Sequence, residues 1–524
     1  MDGQSLPARD LLLVGRNKEF PIRLPFRYLP LLPGYAWRNQ TMIKAHIKRY
    51  SRTISDLERL LSQGADERIF LNNEGLTKYG TPLVRNSYLN RGSCTCSAAR
   101  DGDVVLINNL LRSHKDSTDW IKLRRSLENE LKIELGWDER HDFDLFFAPS
   151  GTDLVYYPLI FSQLLFPEKM IQNLITCIEE IGSGARLSSL GRFYANYNQF
   201  GESVAKGSDI IPDQKIQAHF FKARSEFGNI HNHADSIRKI VHEHPEDSII
   251  INLVYGSKSG IEDDLGMIDE INENNVQWVV DICQFRHSRE IFHDLISKGA
   301  MVMITGSKFY ESSPFSGAML VPKEISRKLL QVADFNSISG YSCIFSMYDV
   351  PQSLMKKVPF ADRVNRSALL RWACALSSMR AFNQLDKIEV EEKTIHWRNK
   401  VLGLLEASDA MELMPHQELA DNSIVSFRVF KDNQYLNQEE LCSLYFSIIR
   451  GGYGNECEFD YVTIGQPVNY GEKAFLRLAI GAKTIRQFVV QDEAEFATDE
   501  KIISILEQKI AELETGRTCR ASAY

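Results

Sequence analysis

The stretch that most constrains this chain is residues 278–322, WVVDICQFRHSREIFHDLISKGAMVMITGSKFYESSPFSGAMLVP. Its pattern reads as strand, helix, strand, turn, strand. Trp278–Val280 and Met301–Ile304 are short apolar runs, and such runs suit strands buried on both faces of a sheet. Asp281 and Gln284 follow the first run, and Thr305, Gly306, Ser307 and Lys308 follow the second. Open α/β sheets carry their chemistry at the C-terminal ends of strands. One carboxylate and one lysine are therefore delivered to the same rim.

A lysine amine forms a Schiff base with an aldehyde. A carboxylate beside a pyridine nitrogen keeps it protonated, so that the ring acts as an electron sink. Those are the two groups pyridoxal phosphate requires. The order D-x-x-Q, helix, strand, T-G-S-K, then P-F-S-G-A resembles the fold type I pyridoxal-phosphate enzymes, and within them the class V aminotransferase and cysteine desulfurase group. The plain alternative is an ordinary Rossmann-like βαβ unit with a solvated Lys308 and a capping Asp281.

Composition narrows the setting. The chain has 524 residues, 44% hydrophobic and 25% charged, which are globular values with length for two or three domains. Its net charge of −8 comes without a basic stripe, which argues against a nucleic-acid partner. Nine scattered cysteines do not read as a disulfide framework, so a reducing cytoplasm is expected. There is no apolar run of membrane-spanning length and no signal-peptide pattern at the start.

Taken in order, residues 1–60 are poorly patterned, with three prolines in PFRYLPLLPGYAW and a helical pattern over Thr41–Gln63. Residues 70–99 are rich in Gly, Asn, Ser and Thr and read as ordered loop. Cys94 and Cys96 lack the further ligands a metal site needs. Asp116–Gly136 is a strong amphipathic helix. A strand Leu145–Phe147 then meets Ser150-Gly151-Thr152 and an apolar helix. That turn offers backbone N–H groups and hydroxyls to an anion, although it also suits plain N-capping. Leu174–Cys177 and Ser248–Val254 are further buried strands. His231 and His233 are read as loop histidines, because i,i+2 residues do not share a helix face. Lys258, after the strand Ser248–Val254, is the rival of Lys308 for the Schiff base.

The C-terminal part alternates helices and strands. Arg477 lies in the apolar run FLRLAIGA, where it is either a buried anion-binding group or a residue on a solvated strand face. Arg450-Gly451 and Cys457 resemble the region where desulfurases place their cysteine, with longer spacing and with Glu456 and Glu458 opposing a lowered thiol pKa.

The resemblance implies an α/β fold of fold type I: a large domain with a mostly parallel sheet and a small C-terminal α+β domain. The expected boundaries are an N-terminal extension and arm over 1–110, the pyridoxal-phosphate domain over 111–365 and the small domain over 366–524. It implies Ser150, Gly151 and Thr152 at the phosphate, Asp281 at the pyridine nitrogen, Gln284 at the ring oxygen, and Thr305 and Ser307 beside Lys308 at the cofactor. Arg477 is expected to bind the substrate carboxylate, and Tyr79 or Arg91 to reach in from the arm. Phe193 and Tyr194 are candidates to stack on the ring. The implied activity is that of an aminotransferase on a small amino substrate, in a cytoplasmic homodimer with no metal. The alternatives are a carbon–sulfur lyase and a non-catalytic binding or sensor protein of the same fold.

Overall fold

The computed structural model describes residues 54–85, 88–93, 97–138, 142–449, 451, 461–491 and 497–513. Cys94, Cys96, Arg450 and Cys457 lie outside the described residues. In chain order the strands are β1 (Leu89–Arg91), β2 (Phe143–Ala148), β3 (Ile171–Ile175), β4 (Ile216–Phe220), β5 (Ser248–Val254), β6 (Val276–Asp281), β7 (Met301–Thr305), β8 (Gly317–Pro322), β9 (Met411–Leu413), β10 (Ile424–Lys431), β11 (Gln434–Tyr435), β12 (Val462–Tyr470) and β13 (Lys473–Ala479).

Seven of them form a sheet in the order β2-β8-β7-β6-β5-β3-β4. β8 runs antiparallel to both its neighbours, and the pairs β7–β6, β6–β5, β5–β3 and β3–β4 are parallel. The expected mostly parallel α/β sheet is present. Every residue of β2, β3, β5, β7 and β8 is buried, as expected for a sheet covered on both faces. Truncating one such side chain, for example Ile304→Ala, costs about 2–5 kcal/mol by loss of burial and a residual cavity.

Helices Ser117–Glu134 and Arg366–Asn383 cover one side and are stitched together by Arg380 on Glu130 at 2.7 Å and Asn383 on Glu134 at 2.7 Å. Each begins at the cap its sequence signals. Asp116 accepts from the Asp119 amide, and Asn365 from the Ala368 amide. Gly306, just past β7, has no room for a side chain: a Cβ there would stand 2.4 Å from the Ala375 Cβ on the second of these helices. The backbone carrying Lys308 thus packs directly on that helix.

The second sheet has the order β1-β12-β13-β10-β11, with β9 on β10. Its first strand comes from the N-terminal segment: β1 pairs in parallel with β12. Sequence patterning gave no sign of this, because three residues inside a loop-rich stretch carry no period. Arg91, expected near the cofactor, points into this sheet's own core and forms a buried two-pronged pair with Asp499 at 2.6 and 3.0 Å.

Candidate active site

The parallel strands all end at one rim, where a cavity of about 200 Å³ opens. Ile175, Val254, Asp281 and Thr305, the last residues of β3, β5, β6 and β7, line it. So do Ser150, Gly151, Thr152, Ser307 and Lys308. Of the nine expected site residues, seven therefore meet in one place. Gln284 and Arg477 are not part of this lining. Gln284 is buried at 3% exposure and is not part of the cavity lining.

The carboxylate and the turn are locked together through Cys283. Asp281 Oδ1 accepts from the Cys283 amide at 2.8 Å, and Thr305 Oγ1 donates to the Cys283 carbonyl at 2.8 Å. A Cβ on Gly151 would stand 3.1 Å from both Cys283 Sγ and Thr305 Cγ2, so a glycine lets the Ser150–Thr152 turn sit against the same residue. Burial, and then the Asp281 carboxylate, push the Cys283 thiol well up, so it stays neutral. Lys308 is partly exposed to the cavity. Among the described residues its amine has neither a hydrogen-bond nor an ion-pair partner. Lys258 also lines the cavity, and its amine reaches the Glu179 carbonyl at 3.5 Å.

The Ser150 end holds a group that sequence reasoning missed. Arg68, on the short turn Glu67–Ile69, donates through Nη1 to Thr152 Oγ1 and through Nη2 to Ser150 Oγ, both at 3.2 Å. Its Nε and Nη2 pair with Asp66 at 2.6 and 2.7 Å. The guanidinium lies over the rings of Phe315 and Tyr194, at 4.6 and 5.0 Å from their centroids. Behind the turn, Asp153 accepts from the Ser150 amide and hydroxyl at 2.9 and 2.7 Å, and Tyr194 donates to Asp153 at 2.8 Å. Burial and the nearby Asp66 carboxylate push Asp153 up to about 6. Burial also works on Asp66, but the Arg68 guanidinium outweighs it and holds that carboxyl below its usual range. The S-G-T sequence signalled the turn. Nothing in the spacing linked it to Asp66 or Arg68, whose contacts are made only by the fold.

The aromatic expectations resolve differently. Tyr79, expected from the arm, lines the cavity next to Phe315, while Phe193 and Tyr194 do not line it. His231 and His233 do not line it, and the His233 ring meets the Lys222 carbonyl at 2.7 Å.

Arg477 lies on β13 and is 2% exposed, so it is not on a solvated strand face. Its side chain lies across Gly465, where a Cβ would come within 2.1 Å of its Cγ, and Nη1 donates to the Gln466 carbonyl at 3.3 Å. Among the described residues no carboxylate pairs with it. The β12–β13 register shifts between Gly465 and Val468, and this bulge turns Gln466 and Pro467 toward the cavity, which they line. Arg477 thus stands immediately behind the cavity wall.

A wider cleft of about 650 Å³ lies between the loop Phe285–Glu290 and helix Lys387–Glu406. It holds neither Asp281 nor Lys308, and the convergence of functional groups at strand ends favours the smaller cavity as the reactive site.

No family model and no curated protein matches the sequence. Solved structures do match. Tryptophan decarboxylase from Catharanthus roseus aligns with a TM-score of 0.53 and 11% identity, over 90% of this chain and 99% of that one. Oryza sativa TDC, solved with PLP and tryptamine, aligns at 0.53 and 11%, over 92% and 100%. A NifS-like protein from Rickettsia africae aligns at 0.50 and 9%, over 82% and 100%. The chain has the fold type I architecture. At these identities the likeness is one of fold, and the chemistry rests on this chain's own residues.

Proposed function

We propose that the chain is a pyridoxal-phosphate-dependent enzyme acting on an amino acid, and that its reaction is transamination. The observation that carries the proposal is the meeting of Asp281 and Lys308 in one cavity at neighbouring strand ends, with the Ser150–Thr152 turn at the same rim. The residues fit the group. Among the described residues, Arg68, Lys258 and Lys308 give the lining three cations against one carboxylate, Asp281, which suits a phosphorylated aldehyde with one basic ring nitrogen. The fold supports the reading through the rice protein, which carries this cofactor in its own structure.

When bound, pyridoxal phosphate supplies an aldehyde that bonds reversibly to amines and a ring that accepts the electrons released at a substrate carbon. The chain's residues do the rest. Ser150, Gly151 and Thr152 would hold the phosphate with the amides of Gly151 and Thr152 at the start of the helix Gly151–Leu154, the Asp153 amide being already bonded to the Ser150 carbonyl at 3.2 Å. Asp281 would hold the proton on the pyridine nitrogen, with Thr305 fixing the Cys283 segment that orients it. Ser307, at the start of the Lys308 turn, completes the cofactor side of the cavity. Lys308 would hold the aldehyde at rest and, once freed by the incoming amine, move the proton at the substrate α-carbon. Arg477 is the proposed partner of the substrate carboxylate, because a buried guanidinium without a carboxylate calls for an anion. The proposal keeps the homodimer and the cytoplasmic setting implied by the sequence.

The test is direct. With added pyridoxal phosphate the protein should develop a visible absorbance band, and an amino acid should bleach it with release of the matching keto acid. Sulfide or carbon dioxide in place of keto acid would replace transamination with another reaction of the same cofactor. The absence of any band would remove the cofactor itself.

A further inference from the structure

We propose that Arg68 selects a phosphorylated ligand at the Ser150–Thr152 turn, and that Asp66 is the positioning residue that aims its guanidinium. The inference rests on the pyridoxal-phosphate reading and locates the source of its phosphate specificity.

A guanidinium has five N–H donors on three edges. Asp66 occupies the Nε–Nη2 edge with two short bonds. The Nη1–Nη2 edge is thereby turned toward the hydroxyls of Ser150 and Thr152. That is the edge with which arginine grips a phosphate by two parallel bonds. Nη2 also donates to the Tyr194 hydroxyl at 3.4 Å; these three hydroxyl contacts, at 3.2–3.4 Å, are long beside the 2.6 and 2.7 Å bonds to Asp66, so the edge is held by weak partners that an anion can displace. The side chain has little freedom to turn away. It is 8% exposed and lies over two aromatic rings, and Asp66 also accepts from the Arg68 amide at 3.0 Å. Gly182 comes close to the turn: a Cβ there would crowd Thr152 Oγ1 at 2.9 Å, so a side chain at this position would press on the turn.

Local charge makes the arginine necessary. Two buried carboxylates, Asp66 and Asp153, stand close behind the turn, and Tyr194 bridges them with bonds of 3.1 and 2.8 Å. The Ser150 amide and hydroxyl are both committed to Asp153. A phosphate dianion arriving at the turn would meet net negative charge without Arg68. With it, the ligand meets a cation already desolvated and oriented, and little ordering remains to oppose binding.

The experiment compares pyridoxal phosphate with pyridoxal, which has the same ring and aldehyde and no phosphate, by equilibrium absorbance titration of the whole chain. The wild type should prefer the phosphorylated form, and inorganic phosphate should compete with it. Arg68→Gln should weaken pyridoxal phosphate about 10- to 100-fold, change pyridoxal by less than about threefold, and abolish competition by inorganic phosphate. Arg68→Lys, with charge but no fork, should fall between. Because Arg68→Gln leaves a buried unpaired Asp66, the double variant Asp66→Asn/Arg68→Gln is measured beside it, with its fold checked by circular dichroism. An equal loss for both ligands in the double variant, or an unchanged ratio between them, overturns the proposal. A wild type that binds neither ligand overturns the cofactor reading and this inference with it. A wild type that binds both equally well overturns only the inference.

Discussion

At one end of the cavity, Asp281 and Lys308 stand at the tips of the adjacent parallel strands β6 and β7, joined by one helix. At the other end, Ser150 and Thr152 are hydrogen-bonded to an arginine 82 and 84 residues away in sequence, on a turn outside the large sheet. The Asp281–Lys308 end, proposed as the reactive end, is assembled by local order: strand, helix, strand. The Ser150–Thr152 end, proposed as the phosphate end, is assembled by tertiary packing around a buried ion pair. The first can be read from spacing because the strand period dictates which residues reach the rim. The second cannot, because nothing local to Arg68 announces which turn it will meet.

Substitutions at the two ends should differ accordingly. Lys308→Ala should have the largest effect, removing the amine proposed to move the α-proton and lowering turnover by about 10³-fold, with the protein's melting temperature little changed. Steady-state keto-acid production measures this, and near-normal turnover would break the assignment of that end. Asp281→Asn keeps an oxygen for the Cys283 amide but gives up the negative charge, so turnover should drop by about 10²-fold while circular dichroism stays unaltered.

Arg477→Gln tests the side of the cavity next to the second sheet. It should lower kcat/KM by about 10- to 100-fold, chiefly through KM, and an amine lacking the carboxylate should be insensitive to the change. Equal sensitivity of both substrates would show that Arg477 only supports the β12 bulge.

The smallest effect is a pH dependence of stability at the phosphate end. Asp153 is pushed up to about 6 in the folded chain, whereas the unfolded chain takes up that proton near 3.8. The folded state therefore binds more protons between these values, and this group's contribution to stability declines as pH rises from about 4 to about 6, then levels off. Asp153→Asn should remove on the order of 1–3 kcal/mol of the pH-dependent change in unfolding free energy across that window, read as a flatter dependence of melting temperature on pH. Asp349, also pushed up to about 6 by burial, should sustain the remaining slope. A slope unchanged by Asp153→Asn would show that the carboxyl titrates in its ordinary range.

Much of the fold was legible for the same reason as the reactive end. β5 begins and ends at the residues its apolar run predicts, Ser248 and Val254. Legibility failed where polar residues are buried. β3 starts at Ile171 rather than Leu174, because Gln172 and Asn173 lie inside the sheet with partners of their own, Asp247 at 2.8 Å and the Ser189 carbonyl at 2.8 Å. β12 runs on to Tyr470 through Gly465 and Pro467, residues that sequence rules treat as breaks and that here form a bulge. The edge strand β4, half exposed, has no apolar run to reveal it. Arg477 was placed on the right strand, but only packing shows that it lies behind Gln466 rather than in the cavity lining.

Among the described residues two lysines, Lys258 and Lys308, line the cavity, and Lys308 is the one proposed to hold the cofactor. Borohydride reduction of the protein incubated with pyridoxal phosphate, followed by peptide mass mapping, tests that assignment most directly. The added mass should appear on the peptide carrying Lys308 and be absent from Lys308→Ala. Its appearance on Lys258, or on neither lysine, would contradict the account.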